Sequence, residues 1–342
     1  MQTLVLAKPG HFERTDTEEP PNPGPDQALI RISRVGICGT DLHAFEGTQP
    51  FINYPLILGH ELGAEVLEVG ADVEHVRAGD RVSVEPYLEC GECIVCRAGR
   101  YNCCVSLQVL GVHTDGGMRE RITVPARKLH PSAELSLDQL ALVETMGIGA
   151  HAVARAGLCA GESVLVVGAG PIGLATAQFA ALAGTLVFLM ELSDQRRAFA
   201  ASHFDLAGTA APADTMEQTC AALSELCGGD LPATVFDATG SKAAMAASFH
   251  YPAAGGRLVY VGFQLESLSF SNPDFHRREL SILASRNSTG GDFQRILKLM
   301  EEGRVDTSPW ITHRAGYDRI AEKFPGWLDP AGGVVKAMLD LD

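Results

Sequence analysis

The 342 residues carry 42 acidic against 27 basic side chains, a formal net charge of −15 at neutral pH. That balance argues against a nucleic-acid partner, because phosphate binding needs clustered Lys and Arg. Hydrophobic residues at 46% and charged residues at 20% describe a globular chain, long enough for two domains that each bury a core.

The N-terminal stretch MQTLVLAKPGHFERT has no basic segment followed by an apolar core, so no secretory signal is visible. With nine cysteines, this points to a reducing, cytoplasmic setting in which thiols serve as ligands rather than bridges. Pro and Gly are dense between Pro20 and Pro25, which predicts an exposed loop. Residues 27–35 alternate apolar and polar side chains, as a half-buried strand does. Residues 65–69 and 81–85 are shorter runs of the same kind, with Gly70 and Gly79-Asp80 as turn signals. Roughly the first 145 residues therefore read as a β-rich lobe.

Two sets of metal-ligand types fall inside this lobe. Cys38, His60 and Glu61 form a mixed thiol, imidazole and carboxylate set. Three protein ligands of that kind leave a position open, which is the catalytic arrangement for zinc. In CGECIVCRAGRYNCC, Cys90, Cys93, Cys96 and Cys104 are spaced Cys-x2-Cys-x2-Cys-x7-Cys. Four thiolates packed so tightly cannot pair off as strain-free disulfides, but they can wrap one tetrahedral Zn²⁺. Cys103 could exchange with its neighbour Cys104, and the x7 gap favours Cys104. Two zinc ions per chain, one in a closed site and one in an open site, are expected.

Near Gly147 the pattern changes. Short β-branched runs at 164–167, 186–190, 233–237, 257–261 and 280–284 alternate with helical stretches at 171–183, 194–202 and 242–250. Such alternation predicts a parallel, doubly wound sheet. The uncharged stretch 163–190 is long enough to span a bilayer, yet its β-branched opening, glycine break and Ala-rich continuation read as strand, turn and helix, so no membrane span is expected. After Ser285 one helix is expected at 292–302, and a tail at 334–339 should return to the β lobe. The predicted division is 1–146 with 286–342, and 147–285 between them.

Gly168-Ala169-Gly170-Pro171-Ile172-Gly173 lies directly after a strand and directly before a helix. In that context G-x-G-x-x-G is a dinucleotide-binding turn. The first glycine shapes it, the second lets backbone approach the pyrophosphate, and the third lets the helix pack on the strand. Glu191, at the end of the next strand, can accept hydrogen bonds from the ribose hydroxyls and repel a 2′-phosphate, which favours NAD over NADP. Arg196 nearby works the other way, since an arginine can accommodate that phosphate.

Taken together, Cys38-Gly-Thr-Asp-Leu-His43, Gly59-His60-Glu61, the four-cysteine cluster and Gly168–Gly173 resemble the zinc-dependent medium-chain dehydrogenases across the whole chain. Glu after His in the metal motif is similar to the polyol and threonine dehydrogenase branch. Gly111-Val-His-Thr-Asp-Gly-Gly117, Asp274-Phe-His276 and Ser285-Arg-Asn-Ser-Thr289 resemble the bacterial L-galactonate 5-dehydrogenases and their sugar-acid relatives.

The resemblance implies an α/β protein with a GroES-like β-rich catalytic domain and a doubly wound Rossmann domain for the dinucleotide. It also implies a homodimer or homotetramer. Cys38, His60 and Glu61 would hold the catalytic zinc, with Glu144 either joining the metal or orienting its water. Relatives often have proline after that glutamate, where this chain has Thr145. Thr40 and His43 match a hydroxyl–imidazole relay to solvent. Val261, Gly262, Phe263, Ser285, Arg286 and Asn287 would join the glycine turn on the cofactor surface.

The implied reaction is hydride transfer between a secondary alcohol of a sugar acid and NAD, with zinc as Lewis acid. Arg286 suits an aldonate carboxylate, and Gln49, Phe51 and His113 lie in loops beside the ligand segments. A polyol or threonine is the alternative substrate. A nucleotide-binding regulatory protein without catalysis is the reading from another class. The presence of Cys38, His60, Glu61 and Thr40 together argues against it.

Overall fold

The computed structural model describes residues 1–341, and the chain divides into two units, 1–145 with 288–342 and 146–287. In chain order the first unit opens with a hairpin of β1 (Gln2–Lys8) and β2 (His11–Asp16), followed by β3 (Gln27–Ile37). Helix α1 (Gly39–Glu46) precedes β4 (Glu61–Val69), β5 (Arg81–Val84) and β6 (Tyr87–Leu88). The cysteine-rich stretch holds one turn of helix, α2 (Ile94–Arg97), and leads to β7 (Gln108–Val109), β8 (Arg121–Pro125) and β9 (Leu129–Pro131).

Helix α3 (Leu137–Ala156) contains the boundary between the units. The second unit then alternates β10 (Ser163–Val167), α4 (Pro171–Leu182), β11 (Leu186–Met190), α5 (Asp194–His203), β12 (Gly208–Ala210), α6 (Met216–Leu226), β13 (Thr234–Asp237), α7 (Lys242–Ser248), β14 (Arg257–Tyr260), α8 (Asn272–Arg277) and β15 (Ser281–Ala284). Its six strands are parallel in the order β12-β11-β10-β13-β14-β15. Counted from the first strand of the unit this is 3-2-1-4-5-6, the doubly wound order, whose ligands sit at the carboxyl ends of the strands where the order reverses. Buried apolar side chains such as Leu165, Val167, Phe188 and Val235 fill its core, because a sheet covered on both faces reads as a near-continuous apolar run.

The chain then re-enters the first unit through α9 (Gly290–Glu301), β16 (Ile311–Gly316), α10 (Ile320–Lys323) and β17 (Lys336–Asp340). There the sheet order is β16-β17-β3-β4-β5-β9, with β8 also paired to β3. β17 lies antiparallel to β3, which places Ala337 opposite Ile37 and Met338 opposite Gly36. The tail is thus a strand of the β lobe, as the sequence predicts. Leu4, Ile30, Ile32, Leu62, Val82, Trp327 and Leu339 belong to one continuous core in this unit.

Several elements differ from the sequence expectation. The strand expected at 65–69 begins at Glu61, which brings that ligand residue onto the sheet. More than one helix follows Ser285, since α10 lies beyond α9. The 163–190 stretch folds as β10, α4 and β11, and no helix among the described residues is long and apolar enough to cross a membrane. Helix α3 escapes periodicity because nearly every side from Leu140 to Ala152 is buried, leaving no polar stripe to mark its turns. Its Gly149 is required by packing, since a Cβ there would stand 2.5 Å from the Thr176 nitrogen of α4.

Candidate metal centres and dinucleotide site

Cys38 is the residue before α1, and its backbone N–H donates to Asp41 Oδ2 at 2.8 Å. This cap fixes the Cys38 backbone at the start of α1. His60 and Glu61 are brought alongside by β4, and one ligand atom from each of Cys38, His60 and Glu61 lies within 4.8 Å of the others. His60 and Glu61 are both buried.

Two further side chains complete the surroundings, and sequence reasoning gave neither a role. Asp41 is fully buried, and its Oδ1 faces His60 Nδ1 at 3.8 Å. At that distance the two groups interact through charge and not through a hydrogen bond. Burial disfavours a charged imidazole, but Asp41 and Cys38 outweigh it and hold the His60 pKa well above the ordinary value. Tyr87, on β6, donates its hydroxyl to Glu144 of α3. Burial, with the charge of Glu61, raises the Glu144 pKa against the pull of His60. Burial and Glu144 also push Tyr87 well up, so it remains a protonated donor. Thiol, imidazole and carboxylate donors meeting in a buried pocket fit zinc.

The relay residues stand on α1. Thr40 is half-buried, and His43 is exposed, with Nδ1 3.4 Å from Thr48 Oγ1 and 3.4 Å from Glu46 Oε2. Gln49, Phe51 and His113 lie in the same unit, with the rings of Phe51 and His113 6.2 Å apart and the Val109 N–H donating to His113 Nδ1 at 3.1 Å.

Cys90, Cys93, Cys96 and Cys104 gather with sulfur atoms within 4.8 Å of one another. Cys93 and Cys96 sulfurs are 3.4 Å apart and those of Cys90 and Cys104 3.5 Å, near the ~3.8 Å edge of a Zn–S₄ tetrahedron. All four are free thiols. Amide donation, first from Val105, lowers the Cys93 pKa to about 6, so that sulfur has thiolate character. The donor set fits a closed structural zinc, and Cys103 lies outside it.

In the second unit Gly168 has φ +101°, a left-handed conformation in which any Cβ is strained. A Cβ at Gly173 would meet the Gly168 carbonyl oxygen at 1.9 Å, whereas one at Gly170 would meet nothing within 4 Å. The third glycine is thus a packing requirement and the second faces open space, as a pyrophosphate cradle needs. Pro171 starts α4, Ile172 follows it, and no side chain caps the helix, so its first N–H groups remain available to phosphate.

Glu191 Oε2 accepts the Ala169 N–H at 2.8 Å and its Oε1 the Ser193 N–H at 3.0 Å. The carboxylate therefore braces the glycine turn. Arg196 gives its backbone N–H to the Ser193 cap of α5, while the Arg197 guanidinium holds the carbonyls of Glu191 and Leu192. Arg197 thereby braces the turn between β11 and α5.

Val261 and Gly262 both donate backbone N–H groups to the Asp237 carbonyl, at 2.9 and 2.8 Å, and Phe263 is exposed. Ser285 and Asn287 follow β15 with Ser285 Oγ and Asn287 Nδ2 buried and without a hydrogen-bond partner among the described residues. Asn287 has φ +52° and Arg286 is exposed. Unsatisfied buried donors at the carboxyl end of a sheet are groups a ligand can satisfy.

Comparison with known proteins gives a consistent picture. Residues 24–134 match the alcohol dehydrogenase GroES-like domain and residues 171–302 the zinc-binding dehydrogenase domain. The chain is 41% identical over 324 residues to L-galactonate-5-dehydrogenase of Escherichia coli K12, covering 95% of this chain and 94% of that one. Among solved structures it resembles a zinc-binding dehydrogenase of Sinorhizobium meliloti 1021 bound to NADP, at TM-score 0.90, 29% identity and 99% coverage of both chains. It also resembles the short chain alcohol dehydrogenase (rspB) of Escherichia coli CFT073 complexed with NADH, at TM-score 0.90 and 28% identity, with 100% of this chain and 99% of that one covered.

Proposed function

The chain belongs to the zinc-type medium-chain alcohol dehydrogenases, and from that premise we propose that it oxidises a secondary hydroxyl of an aldonate of the L-galactonate type with NAD. The observation that carries this reading is the 41% identity to an L-galactonate 5-dehydrogenase over nearly the full length of both chains. The mixed Cys38, His60 and Glu61 set and the Gly168–Gly173 turn supply the parts such a reaction needs.

When bound, zinc supplies Lewis acidity toward the substrate hydroxyl and NAD the hydride acceptor. The protein's own groups do the rest. Cys38, His60 and Glu61 would hold the metal, with the Asp41 carboxylate 3.8 Å from His60 Nδ1. Tyr87 keeps Glu144 in place beside them. Thr40 is too weak a base to act alone, so it passes the substrate proton on to His43, whose exposed ring delivers it to water. Glu191 favours NAD, because a carboxylate at the ribose repels a 2′-phosphate.

The chain also reads as a cytoplasmic homodimer or homotetramer. Nine free cysteines support a reducing compartment, and the exposed Phe263, Leu265 and Phe270 of the second unit support burial against another copy. Light scattering tests the second point.

An NAD-linked absorbance screen over aldonates, polyols and threonine, with and without added zinc, tests the substrate. Zinc-dependent turnover highest on an aldonate is expected. Turnover on polyols or threonine with none on any aldonate would retire the sugar-acid reading and leave the other branches of the family standing.

A further inference from the structure

Two lysines of the first unit are buried among the described residues, and each faces carboxylates in place of solvent. Lys336, which opens β17, donates from Nζ to both oxygens of Glu61, at 2.6 and 2.8 Å. Lys128, in the turn between β8 and β9, stands between two different carboxylates. Its Nζ donates to Glu85 Oε1 at 2.5 Å and lies 2.5 Å from Glu89 Oε2, the second a charge contact without hydrogen-bond geometry. Arg127 Nη2 stands 3.2 Å from the other Glu89 oxygen. The Glu89 side chain is 7% exposed, so its charge is matched inside the protein.

The two carboxylates belong to different parts of the unit. Glu85 follows β5, and its backbone N–H donates to the Lys128 carbonyl at 2.8 Å, which fixes it to the sheet. Glu89 is the residue before Cys90. The peptide that joins them gives its N–H, that of Cys90, to Cys104 Sγ at 3.4 Å. Placing Glu89 therefore places two of the four sulfur donors, Cys90 directly and Cys104 through this bond. The other backbone bonds of the stretch are local, from Arg97 to the Cys93 carbonyl, Gly99 to Cys96 and Cys104 to Tyr101. They shape the cluster without tying it to the sheet.

Packing does not supply that tie on this side. The cavity of about 550 Å³ is walled by Gly91, Gly99 and Tyr101 from the cysteine-rich stretch and by Lys128, His130 and Gly290 across from them. Ion contacts at its edge take the place of interdigitated side chains. Both carboxylates approach one ammonium, so they stand no more than about 5 Å apart. Without Lys128 they would repel, and Glu89, on the less anchored segment, would be the one to move.

Building on the reading of the cysteine cluster as a closed zinc site, we infer that Lys128 is a positioning residue for that metal, acting through Glu89 to seat Cys90 and the N–H bond on Cys104. Groups that orient metal ligands from behind carry a share of the metal affinity.

The test uses the full chain, stripped of metal and reloaded with Co²⁺. Sulfur-to-metal charge-transfer absorption reports thiolate ligation, and the four thiolates of the cluster dominate it over the single thiolate of Cys38. Titrating that band against a competing chelator reads the affinity of the cluster alone. Lys128→Met should weaken it about ten- to a hundredfold, and Lys128→Arg, which keeps the charge, should stay within about threefold of wild type. In a Glu89→Gln background Lys128→Met should change the affinity by less than about threefold, because the path through Glu89 is already cut. If Lys128→Met does not fold, Lys128→Gln carries the same expectations.

Equal losses in both backgrounds overturn the proposal, since Lys128 would then act without Glu89. A lower melting temperature with unchanged Co²⁺ affinity also overturns it and leaves Lys128 a scaffold residue. Wild-type protein that shows no intense charge-transfer band overturns the closed-site reading itself, and this proposal with it.

Discussion

Gly36 and Glu61 stand opposite each other on neighbouring strands, and a Cβ at position 36 would come within 2.1 Å of Glu61 Oε2. The carboxylate occupies the space a side chain would take. Gly36→Ala should therefore push Glu61 off Lys336 and leave two buried charges without each other. Breaking a buried pair in this way costs about 3–5 kcal/mol. Urea unfolding should show a midpoint lowered accordingly, with less zinc retained per chain after dialysis. Wild-type stability and metal content would mean that Glu61 has another place to go.

The closed cysteine site predicts a different loss. A structural zinc contributes its binding energy directly to folding. Cys96 is the most deeply buried of the four ligand candidates, 2% exposed. Cys96→Ser should lower the melting temperature of the β lobe and reduce bound zinc from two per chain to one. A variant that melted like wild type and still bound two zincs would remove the structural role from this cluster.

Acid stability should depend on Glu85. This buried carboxyl lines a cavity of about 550 Å³, with Lys128 at 2.5 Å and His130 at 3.2 Å, and with Arg127 and Glu89 beside them. Burial works to raise its pKa, but His130 and Lys128 outweigh it and hold the group below the ordinary value of 4.5. A depressed carboxyl pKa means the unfolded chain takes up the proton first. The stabilisation is then complete above about pH 4.5 and disappears as the pH falls through the folded pKa. Glu85→Gln should lower the melting temperature at neutral pH and flatten its fall below pH 4.5. Parallel curves for variant and wild type would show that Glu85 does not set the acid limb.

How much of this was legible beforehand depended on where the signal resided. Ligand types at close spacing and a glycine turn between strand and helix are local patterns, so Cys90 to Cys104 and Gly168 to Gly173 could be read directly. Long-range partners leave no such mark. Lys336 lies 275 residues beyond Glu61 and reads as one lysine in a tail, because only the register of β17 on β3 brings it to the site. Tyr87 and Glu144 are 57 residues apart and meet for the same kind of reason. Asp41 was within reach, since an acid three residues into a helix after Cys38 is a capping signal, but its nearness to His60 depends on β4. Helix α3 was missed because burial on all sides erases the period that betrays a helix.

Glu191 accepts the amides of Ala169 and Ser193 on its two oxygens, and the proposed choice of NAD over NADP rests on it. Each oxygen keeps further lone pairs, so on the proposed reading the carboxylate that braces the turn is also free to accept from the ribose hydroxyls. Glu191→Ala removes the brace, the acceptor and the repulsion of a 2′-phosphate together. Losing the brace should weaken both coenzymes alike, whereas losing the acceptor penalises NAD, which offers both hydroxyls, more than NADP, which keeps only the 3′-hydroxyl. Removing the repulsion benefits NADP alone, with Arg196 half-buried on the following helix to receive the phosphate. A charge-assisted hydrogen bond is worth about 1.5–3 kcal/mol, so the NAD-to-NADP affinity ratio should fall on the order of ten- to a hundredfold. Fluorescence titration of both reduced coenzymes, with Glu191→Ala beside wild type, measures the ratio without any substrate. Equal weakening of the two would assign Glu191 to the brace alone and place the choice of coenzyme elsewhere on the dinucleotide surface.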